Sequence, residues 1–358
     1  MADSFLYIPD ITGFTKFVNT TEIEHGQHII SELLEGIIQS NQLDMVVSEV
    51  EGDAVLFYKH NSIPTFDQLV SQSERIFIAF HEQLKQMEAQ RICQCGACSS
   101  AINLSIKIVA HSGAIGFTKV LNREKPYGAD VVKIHTLLKN DVNEKEYVLL
   151  SDSLSKTYKK EMEQTASAWV KPDLIPSGEG NDFHYYFSLS PLFERVKVPM
   201  PPKPPKRLPK PYVTSIFIER PKERVFEMLV DFDVRQLWND EAQEIIYDEN
   251  KVNRVGTTHQ CVLKDNSVIN FESFSDNIGE GKLIYGEKIL GIKMAKEVAV
   301  FFILENEGNG TRLSLELHIQ PLPVIGGIIK LIMIYKMSGN LEAQLKSLKA
   351  LAERPSNN

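Results

Sequence analysis

The chain has 358 residues, of which 43% are hydrophobic and 24% are charged, and its formal net charge is −8. A chain of this length is too long for one ordinary hydrophobic core and long enough for two, and its composition excludes extensive disorder. The negative net charge gives no general electrostatic reason to bind nucleic acid or an anionic membrane, so we expect no nucleic acid partner.

Residues 1–195 alternate between predicted strands and helices. The apolar spacing predicts strands at 5–8, 104–111 and 147–150, a hairpin at 44–58, and helices at 21–41, 66–91 and 130–139. This β-α-β-β-α-β order predicts a ferredoxin-like sheet with helices on one face. We take residues 1–195 as the first domain.

Residues 196–211, VKVPMPPKPPKRLPKP, separate this region from the rest of the chain. Proline fixes φ and removes a backbone donor, so the segment cannot enter a helix or the interior of a sheet. We expect an extended basic linker of the polyproline kind. A ligand for an SH3-type domain is the alternative, and the stiff linker is favoured.

Residues 212–358 form the second predicted domain. The pattern predicts a helix that begins at Pro221 and a closing helix at 323–354. It predicts strands at 212–218, 257–263, 267–274, 283–289, 295–304 and 312–321. Few helices among many antiparallel strands indicate an α+β fold.

The sequence contains no predicted membrane span or targeting segment. The longest apolar run, residues 324–333, is shorter than the ~18 residues that a span needs and contains Lys330. No basic region followed by an apolar run is present near the first residue, which argues against a signal peptide. Four cysteines do not make a disulfide framework in so long a chain, so we expect a cytoplasmic protein.

Two aspartates end elements that a ferredoxin-like sheet places side by side. Asp10 follows the strand in FLYIPDITGFTKF, and Asp53 lies at the turn of the hairpin in VEGDAVLFY. Two converging carboxylates suit a magnesium or manganese ion that carries a triphosphate. The alternative is that each is an ordinary turn aspartate.

Four motifs in the first domain resemble class III nucleotidyl cyclases. DITGFT and EGDAV resemble their two metal motifs, IKIVAHSGAIG their central strand and turn, and YGADVVKIHTLL the segment of their transition-state residues. The motifs follow in family order over roughly residues 3–150, and they are nearest to an uncharacterised family of cyclase-like domains. The resemblance implies a cyclase-homology domain and, because cyclases build their sites across a dimer, a homodimer.

Residue roles follow from this resemblance. It implies that Asp10 and Asp53 bind the metal, that Glu49 is at a base-selecting position where glutamate favours guanine, and that Phe14 and Lys133 contact a bound nucleotide. A nucleotide is therefore an expected partner, with magnesium or manganese as its ion.

The rest of the cyclase pattern is altered. Val132 is at the position of the transition-state asparagine, Thr136 is at that of the arginine, and Lys125 falls near the second base-selecting position. One such arginine is worth ~10³-fold or more in rate, and threonine cannot replace it. We therefore assign no catalytic residue and favour a non-catalytic module. The alternative is a divergent nucleotidyl cyclase or nucleoside-triphosphate hydrolase that uses Asp10 and Asp53.

The motif CQCGAC contains Cys93, Cys95 and Cys98. Three thiols at this spacing can bind one thiophilic ion, for which zinc is the best candidate, with His81 or His111 as the fourth ligand. The alternative is a loop with free or buried thiols. The remaining cysteine, Cys261, is predicted to be a core residue.

The second domain opens with YVTSIFIERPKERVFEMLVDFDVRQLWNDEA, which resembles the START-like superfamily (SRPBCC), a group of polyketide cyclases/dehydrases and lipid-transport proteins. The resemblance implies a helix-grip fold, in which a curved antiparallel sheet holds a long C-terminal helix over an apolar cavity. It also implies binding of a hydrophobic small molecule, such as a lipid. The proposed cavity residues are Trp238, Phe271, Phe274, Phe301, Ile329, Ile332, Leu341 and Leu345.

The sequence leaves three functions open. The favoured one is a degenerate cyclase-like module joined to a domain that binds a hydrophobic ligand, in signalling or ligand sensing. The second is the metal-dependent enzyme described above. The third is a structural scaffold, since an apolar stripe is more often plain core than ligand wall.

Overall fold

The computed structural model of the chain describes residues 3–121, 123–176, 183–198, 200–276, 281–323 and 326–354. The chain divides into two compact units, and each contains its own seven-stranded sheet. The mixed content of helices and antiparallel strands confirms the predicted α+β class. No helix in the described ranges is long and apolar enough to cross a membrane.

The first unit contains nine strands and five α-helices among the described residues. The strands are β1 (Ser4–Thr12), β2 (Val46–Glu51), β3 (Ala54–Lys59), β4 (Ser105–Gly113), β5 (Gly116–Val120), β6 (Arg123–Tyr127), β7 (Tyr147–Leu150), β8 (Asp173–Pro176) and β9 (Phe183–Ser188). The helices are α1 (Phe14–Thr20), α2 (Ile23–Gln39), α3 (Phe66–Ala89), α5 (Ala129–Leu137) and α6 (Asp152–Gln164). Helix α4 (Gly96–Ser100), which follows the cysteine motif, belongs to the second unit, because residues 89–99 group with it.

The main sheet of this unit has the order β2-β3-β1-β4-β7-β9-β8. Strand β1 pairs antiparallel with β3 on one side and with β4 on the other. The first four strands therefore have the order 2-3-1-4 with α2 and α3 as crossovers, which confirms the predicted ferredoxin-like arrangement. The apolar positions of α2 that predicted the helix are the ones it buries: Ile29, Ile30, Leu33, Leu34 and Ile37.

Besides α4, the second unit contains seven strands and three α-helices among the described residues. The strands are β10 (Tyr212–Ile218), β11 (Ala242–Ile246), β12 (Thr258–Leu263), β13 (Val268–Phe274), β14 (Leu283–Leu290), β15 (Ala295–Glu307) and β16 (Gly310–Pro321). The helices are α7 (Lys222–Val230), α8 (Phe232–Trp238) and α9 (Gly326–Ala352).

The second sheet is fully antiparallel, in the order β10-β16-β15-β14-β13-β12-β11. Its inner face carries Tyr285, Phe302 and Leu315, which share a core cluster with Leu341 and Leu345 of α9. Alternate side chains of these strands point to the opposite, outer face. The large antiparallel sheet agrees with the predicted α+β pattern, whereas the helix-grip fold and membership of the START-like superfamily stay predictions.

Part of the predicted linker packs on the outer face of the second sheet. The amide of Leu208 donates to Nδ1 of His318 at 2.8 Å, and the Arg207 guanidinium lies 5.1 Å from the ring centre of Phe301. The segment has no regular secondary structure, as its prolines require. Pro199, within the predicted linker, lies outside the described residues.

Candidate functional site

The structure brings Asp10 and Asp53 together at one end of the first sheet. Asp10 pairs with Ala54 in the β1–β3 register, and the amide of Ile11 donates to the carbonyl of Asp53 at 2.8 Å. Gly52 adopts φ 61°, a left-handed conformation that is unfavourable for residues with a side chain, and it therefore permits the hairpin turn. Phe14, a predicted nucleotide contact, lies beside this turn, because a Cβ atom built on Gly52 would be 3.6 Å from its ring. Phe14 is therefore close to the two aspartates.

A lysine on β4 already contacts this acidic pair. Nζ of Lys107 lies 3.2 Å from Oδ2 of Asp10 and donates to the carbonyl of Leu138 at 3.1 Å. Burial raises the pKa of Asp10 and the lysine opposes that rise. Burial also raises the pKa of Asp53, as does the negative charge of Asp10. The two carboxylates are therefore close enough to repel each other, and one ammonium group partly offsets the repulsion.

Glu49 and Lys125, the residues at the two predicted base-selecting positions, contact each other. Nζ of Lys125, on β6, lies 2.9 Å from Oε2 of Glu49, on β2. The hydrogen bond from Lys125 is the main reason why the pKa of Glu49 is lowered. The carboxylate that would select guanine is therefore already paired with a cation of the chain itself.

Val132 and Thr136, the residues at the predicted transition-state positions of α5, have no positive charge with which to bind a phosphate. Val132 is 67% exposed, and the hydroxyl of Thr136 donates to the Val132 carbonyl of its own helix at 3.0 Å. Nζ of Lys133 contacts Oδ1 of Asp152 at 3.0 Å, and this ion pair lowers the pKa of Asp152 against the effect of burial. Lys133, a predicted nucleotide contact, is thus held by a carboxylate.

The cysteine motif forms a compact group of thiols. The amide of Cys95 donates to Sγ of Cys93 at 3.4 Å, and the amide of Cys98 donates to Sγ of Cys95 at 3.4 Å. Hydrogen bonds from Cys95 and Cys98 lower the pKa of Cys93. Amides directed at sulfur stabilise thiolates, the form that binds metal.

The Sγ atoms of Cys93, Cys95 and Cys98 lie within 4.8 Å of one another, which is close enough for the three thiols to hold one metal ion. The predicted fourth ligands have other partners: Nε2 of His81 contacts Glu146 at 2.7 Å, and His111 contacts Ser151 at 2.8 Å and Asp130 at 2.9 Å.

A cavity of about 140 Å³ lies in the second unit. It lies between the inner face of the sheet, α8 and the middle of α9, and it is partly open to solvent. The apolar wall consists of Cys261, Leu263, Ile269, Phe271, Ile289, Val300, Phe302, Met337 and Leu341. The polar wall consists of Arg235, Asn239, Glu241, Glu287, Lys336, Asn340 and Gln344.

The structure places two of the eight predicted cavity residues, Phe271 and Leu341, in the wall of this cavity. Trp238 and Leu345 belong to the adjoining core, against which Ile329 packs. Ile332 is 50% exposed. Phe274 and Phe301 lie in a separate cluster, because they occupy the outward-facing positions of β13 and β15, opposite Gly286.

A buried ion pair that the sequence analysis missed lies in the cavity wall. The Arg235 guanidinium binds Glu287 through both Nη atoms, and the hydroxyl of Tyr285 donates to Oε1 of Glu287 at 2.6 Å. Burial alone would raise the pKa of Glu287, but Arg235 holds that pKa below its usual range. Nε of Arg235 is buried without a hydrogen-bond partner.

Comparison with known proteins finds similarity to part of the chain. The family described as a protein of unknown function, DUF2652, matches residues 30–147. An uncharacterised protein of Mycobacterium tuberculosis is 32% identical over 126 residues, which are 34% of this chain and 57% of that protein. The chain thus matches less than two thirds of the length of this curated relative.

Similar solved structures fall into two kinds. The guanylate cyclase domain of RhGC from Catenaria anguillulae in complex with GTP is 19% identical, covers 52% of this chain and 96% of its own, and has a TM-score of 0.36. The protein TTHA0849 of Thermus thermophilus is 19% identical, covers 39% of this chain and 94% of its own, and has a TM-score of 0.32. The chain is similar to these proteins, and none of the similarities is extensive enough to assign it to a family.

Proposed function

We propose that this chain is a non-catalytic protein of two modules, in which the second unit binds a hydrophobic small molecule in signalling or ligand sensing. The observation that carries this proposal is the cavity of about 140 Å³. Protein interiors are close-packed, and voids larger than a water molecule are few. A cavity with an apolar wall and a few polar groups is the usual form of a small-molecule site. START-like ancestry of this unit is part of the proposal.

The first unit serves as a metal–nucleotide or dimerisation module without turnover. Asp10 and Asp53 offer carboxylate oxygens of the kind that magnesium and manganese bind. Phosphoryl chemistry also needs positive charge at the developing negative charge. Lys107, Lys125 and Lys133 each contact a carboxylate instead. A homodimer and a cytoplasmic location stay predictions.

The small-molecule function is tested by titrating the full chain with toluene and following the methyl NMR signals of Met337 and Leu341. We expect saturable shifts at both, because both side chains line the cavity. Val300→Phe, which fills the cavity, should abolish the shifts. The matched control is Val268→Phe at a position of the same sheet that is 49% exposed. Folded protein that shows no saturable shift would overturn the proposal.

We also propose that the cysteine group binds zinc. Three thiolates supply most of the tetrahedral ligand set of a structural zinc site. The support is the grouping of the Sγ atoms of Cys93, Cys95 and Cys98 within 4.8 Å of one another. The role of such an ion would be to hold its loop in one conformation.

Zinc content of the purified protein, measured by atomic absorption together with thiol titration, tests this site. We expect one zinc per chain and loss of the ion in Cys93→Ser. Cys261→Ser is the matched control, since Cys261 is a buried cysteine of strand β12. His81→Ala should leave zinc binding unchanged, because Nε2 of His81 contacts Glu146. Zinc-free protein with three freely titrating thiols would exclude the site.

A further inference from the structure

We propose that the first half of helix α9 binds the surface of a membrane that contains anionic lipids. The binding surface, the α9 patch, consists of exposed apolar side chains on α9 and on the segments beside its first turn: Met294, Leu322, Ile328, Leu331, Ile332 and Tyr335. This proposal goes beyond the small-molecule function and does not depend on it.

Four residues of the patch lie on one side of α9. Between Ile328 and Tyr335 they follow the spacing i, i+3, i+4 and i+7, which places side chains on one face of a helix. Ile328 is 68% exposed, Leu331 69% and Tyr335 85%. On the opposite side, Met333 belongs to the core of the second unit and Met337 packs against it. A helix that is apolar all round is normally covered all round, and the described part of the chain covers only one side of α9.

The ends of two strands extend the patch beside the first turn of α9. Ala295 of β15 pairs with Pro321 of β16, and a Cβ atom built on Gly326 would lie 2.6 Å from Cβ of Pro321. Met294, next to Ala295, is 56% exposed, and Leu322, next to Pro321, is 37% exposed. These two side chains therefore add apolar surface near the start of the helix.

The charge around the patch is positive, although the chain as a whole is negative. Residues 289–296 and 317–341 contain no aspartate or glutamate, whereas the chain has 47 acidic residues and a net charge of −8. The charged residues of these two segments are Lys293, Lys296, Lys330 and Lys336. Any attraction of this chain to an anionic surface is therefore local to the α9 patch.

Apolar side chains bordered by lysines are typical of a helix that lies on an anionic lipid surface. The apolar face enters the boundary between headgroups and acyl chains, and the lysines are attracted to the lipid phosphates. Tyr335 suits this depth, because its ring is apolar and its hydroxyl is polar. A second copy of the chain fits less well, since the contact of two identical patches would bring their lysines together.

Sedimentation of the full chain with lipid vesicles tests the proposal. We expect vesicles of equal parts of phosphatidylcholine and phosphatidylglycerol to bind the protein at least about tenfold more tightly than vesicles of phosphatidylcholine alone, because several lysines act together. Higher salt should weaken this binding. Protein that stays in the supernatant with both kinds of vesicle, or that binds both equally, would overturn the proposal.

A double substitution within the patch tests the apolar contact. Leu331→Gln/Ile332→Gln should weaken binding to the anionic vesicles at least about tenfold, because it removes apolar surface that the lipid covers. Both side chains are exposed, so the variant should fold. The matched control is Val213→Gln/Val268→Gln, which replaces valines of the same unit that are 54% and 49% exposed and should bind like the unmodified chain. Equal binding by all three proteins would contradict the proposal.

Fluorescence shows whether the patch itself enters the lipid. The emission of Tyr335→Trp should shift to shorter wavelength when anionic vesicles are added, because the new side chain leaves water. The natural tryptophans, Trp169 and Trp238, are buried, so the unmodified chain should show no such shift. Sedimentation with vesicles but without a shift in Tyr335→Trp would mean that another surface binds the lipid, and the proposal would be wrong.

Self-association is the competing outcome. Concentration-dependent dimers that Leu331→Gln/Ile332→Gln abolishes, in a protein that does not bind vesicles, would assign the patch to a second copy and overturn the proposal. The small-molecule function is tested separately by the toluene titration and stands or falls without these results.

Discussion

The two units place carboxylates beside cations in different ways. In the first unit, Lys107 contacts Asp10 through one ammonium group, and their side chains are 20% and 12% exposed. In the second unit, Arg235 binds Glu287 through two nitrogens, and their side chains are 4% and 2% exposed. The planar guanidinium satisfies a whole carboxylate, whereas a lysine leaves oxygens free. Asp10 therefore keeps a carboxylate oxygen for the proposed metal ion, whereas both oxygens of Glu287 are bound by Arg235.

The largest expected effect follows from breaking the buried pair. Arg235→Met should lower the free energy of unfolding of the second unit by about 3–5 kcal/mol, because Glu287 would remain buried without its cation. Denaturant unfolding followed by the fluorescence of Trp238 measures this change. The matched substitution in the first unit, Lys107→Met, should cost about 1 kcal/mol or less, since Asp10 keeps some contact with water. Equal losses in the two variants would contradict the contrast between the units.

A second effect concerns pH. Burial lowers the pKa of His259 to about 4, and His259 lies 3.6 Å from Glu287. Between that value and the ordinary pKa of about 6.5, the unfolded chain binds a proton that the folded chain excludes. The stability of the second unit should therefore fall as the pH drops through this window, by at most about 3 kcal/mol.

Unfolding curves from pH 7 to pH 4 measure this dependence, with His259→Phe as the comparison. The phenylalanine variant should lose most of the slope that His259 contributes, since it has no proton to bind. An unchanged slope in this variant would show that His259 titrates normally and that its surroundings are not as dry as the structure indicates.

The smallest effect concerns the proposed magnesium or manganese site at Asp10 and Asp53. Lys107→Met should tighten manganese binding by about tenfold, which corresponds to about 1.4 kcal/mol, because the ion no longer competes with the ammonium group. Manganese affinity should also weaken on acidification, since the raised pKa values of Asp10 and Asp53 favour protonation. Calorimetric titration measures both effects, with Lys119→Met as the control at an exposed position of β5. Weaker binding in Lys107→Met would mean that the lysine supports the site.

The sequence predicted the helices and strands better than it predicted on which face of a sheet each side chain lies. Helical spacing located α2, and the strand order of the first unit followed from the alternation of elements. The positions of Phe274 and Phe301 were missed for a physical reason. Strand β15 is buried over seven consecutive residues, because α9 covers its inner face and Arg207 packs over Phe301 on the other. A strand that is covered on both faces does not alternate between apolar and polar residues, so its sequence does not indicate which side chains face inward.

The polar residues of the sites were harder to predict than the apolar ones. Asp10, Asp53 and the cysteines belong to compact motifs, so the sequence could single them out as candidates. Arg235 and Glu287 have no such signature, and each finds its partner in a residue distant along the chain. A charged residue in a sequence is by default expected at the surface, and the burial of Arg235 and Glu287 depends on their mutual contact.

The most direct test of a non-catalytic first unit is an assay for turnover of GTP and ATP with manganese, for the full chain beside Asp53→Ala. We expect neither cyclic nucleotide nor hydrolysed product above the buffer rate, and no difference between the two proteins, because Val132 and Thr136 occupy the predicted transition-state positions and Lys107, Lys125 and Lys133 each contact a carboxylate. Product formation by the unmodified chain that disappears in Asp53→Ala would contradict this expectation and make the protein a metal-dependent enzyme.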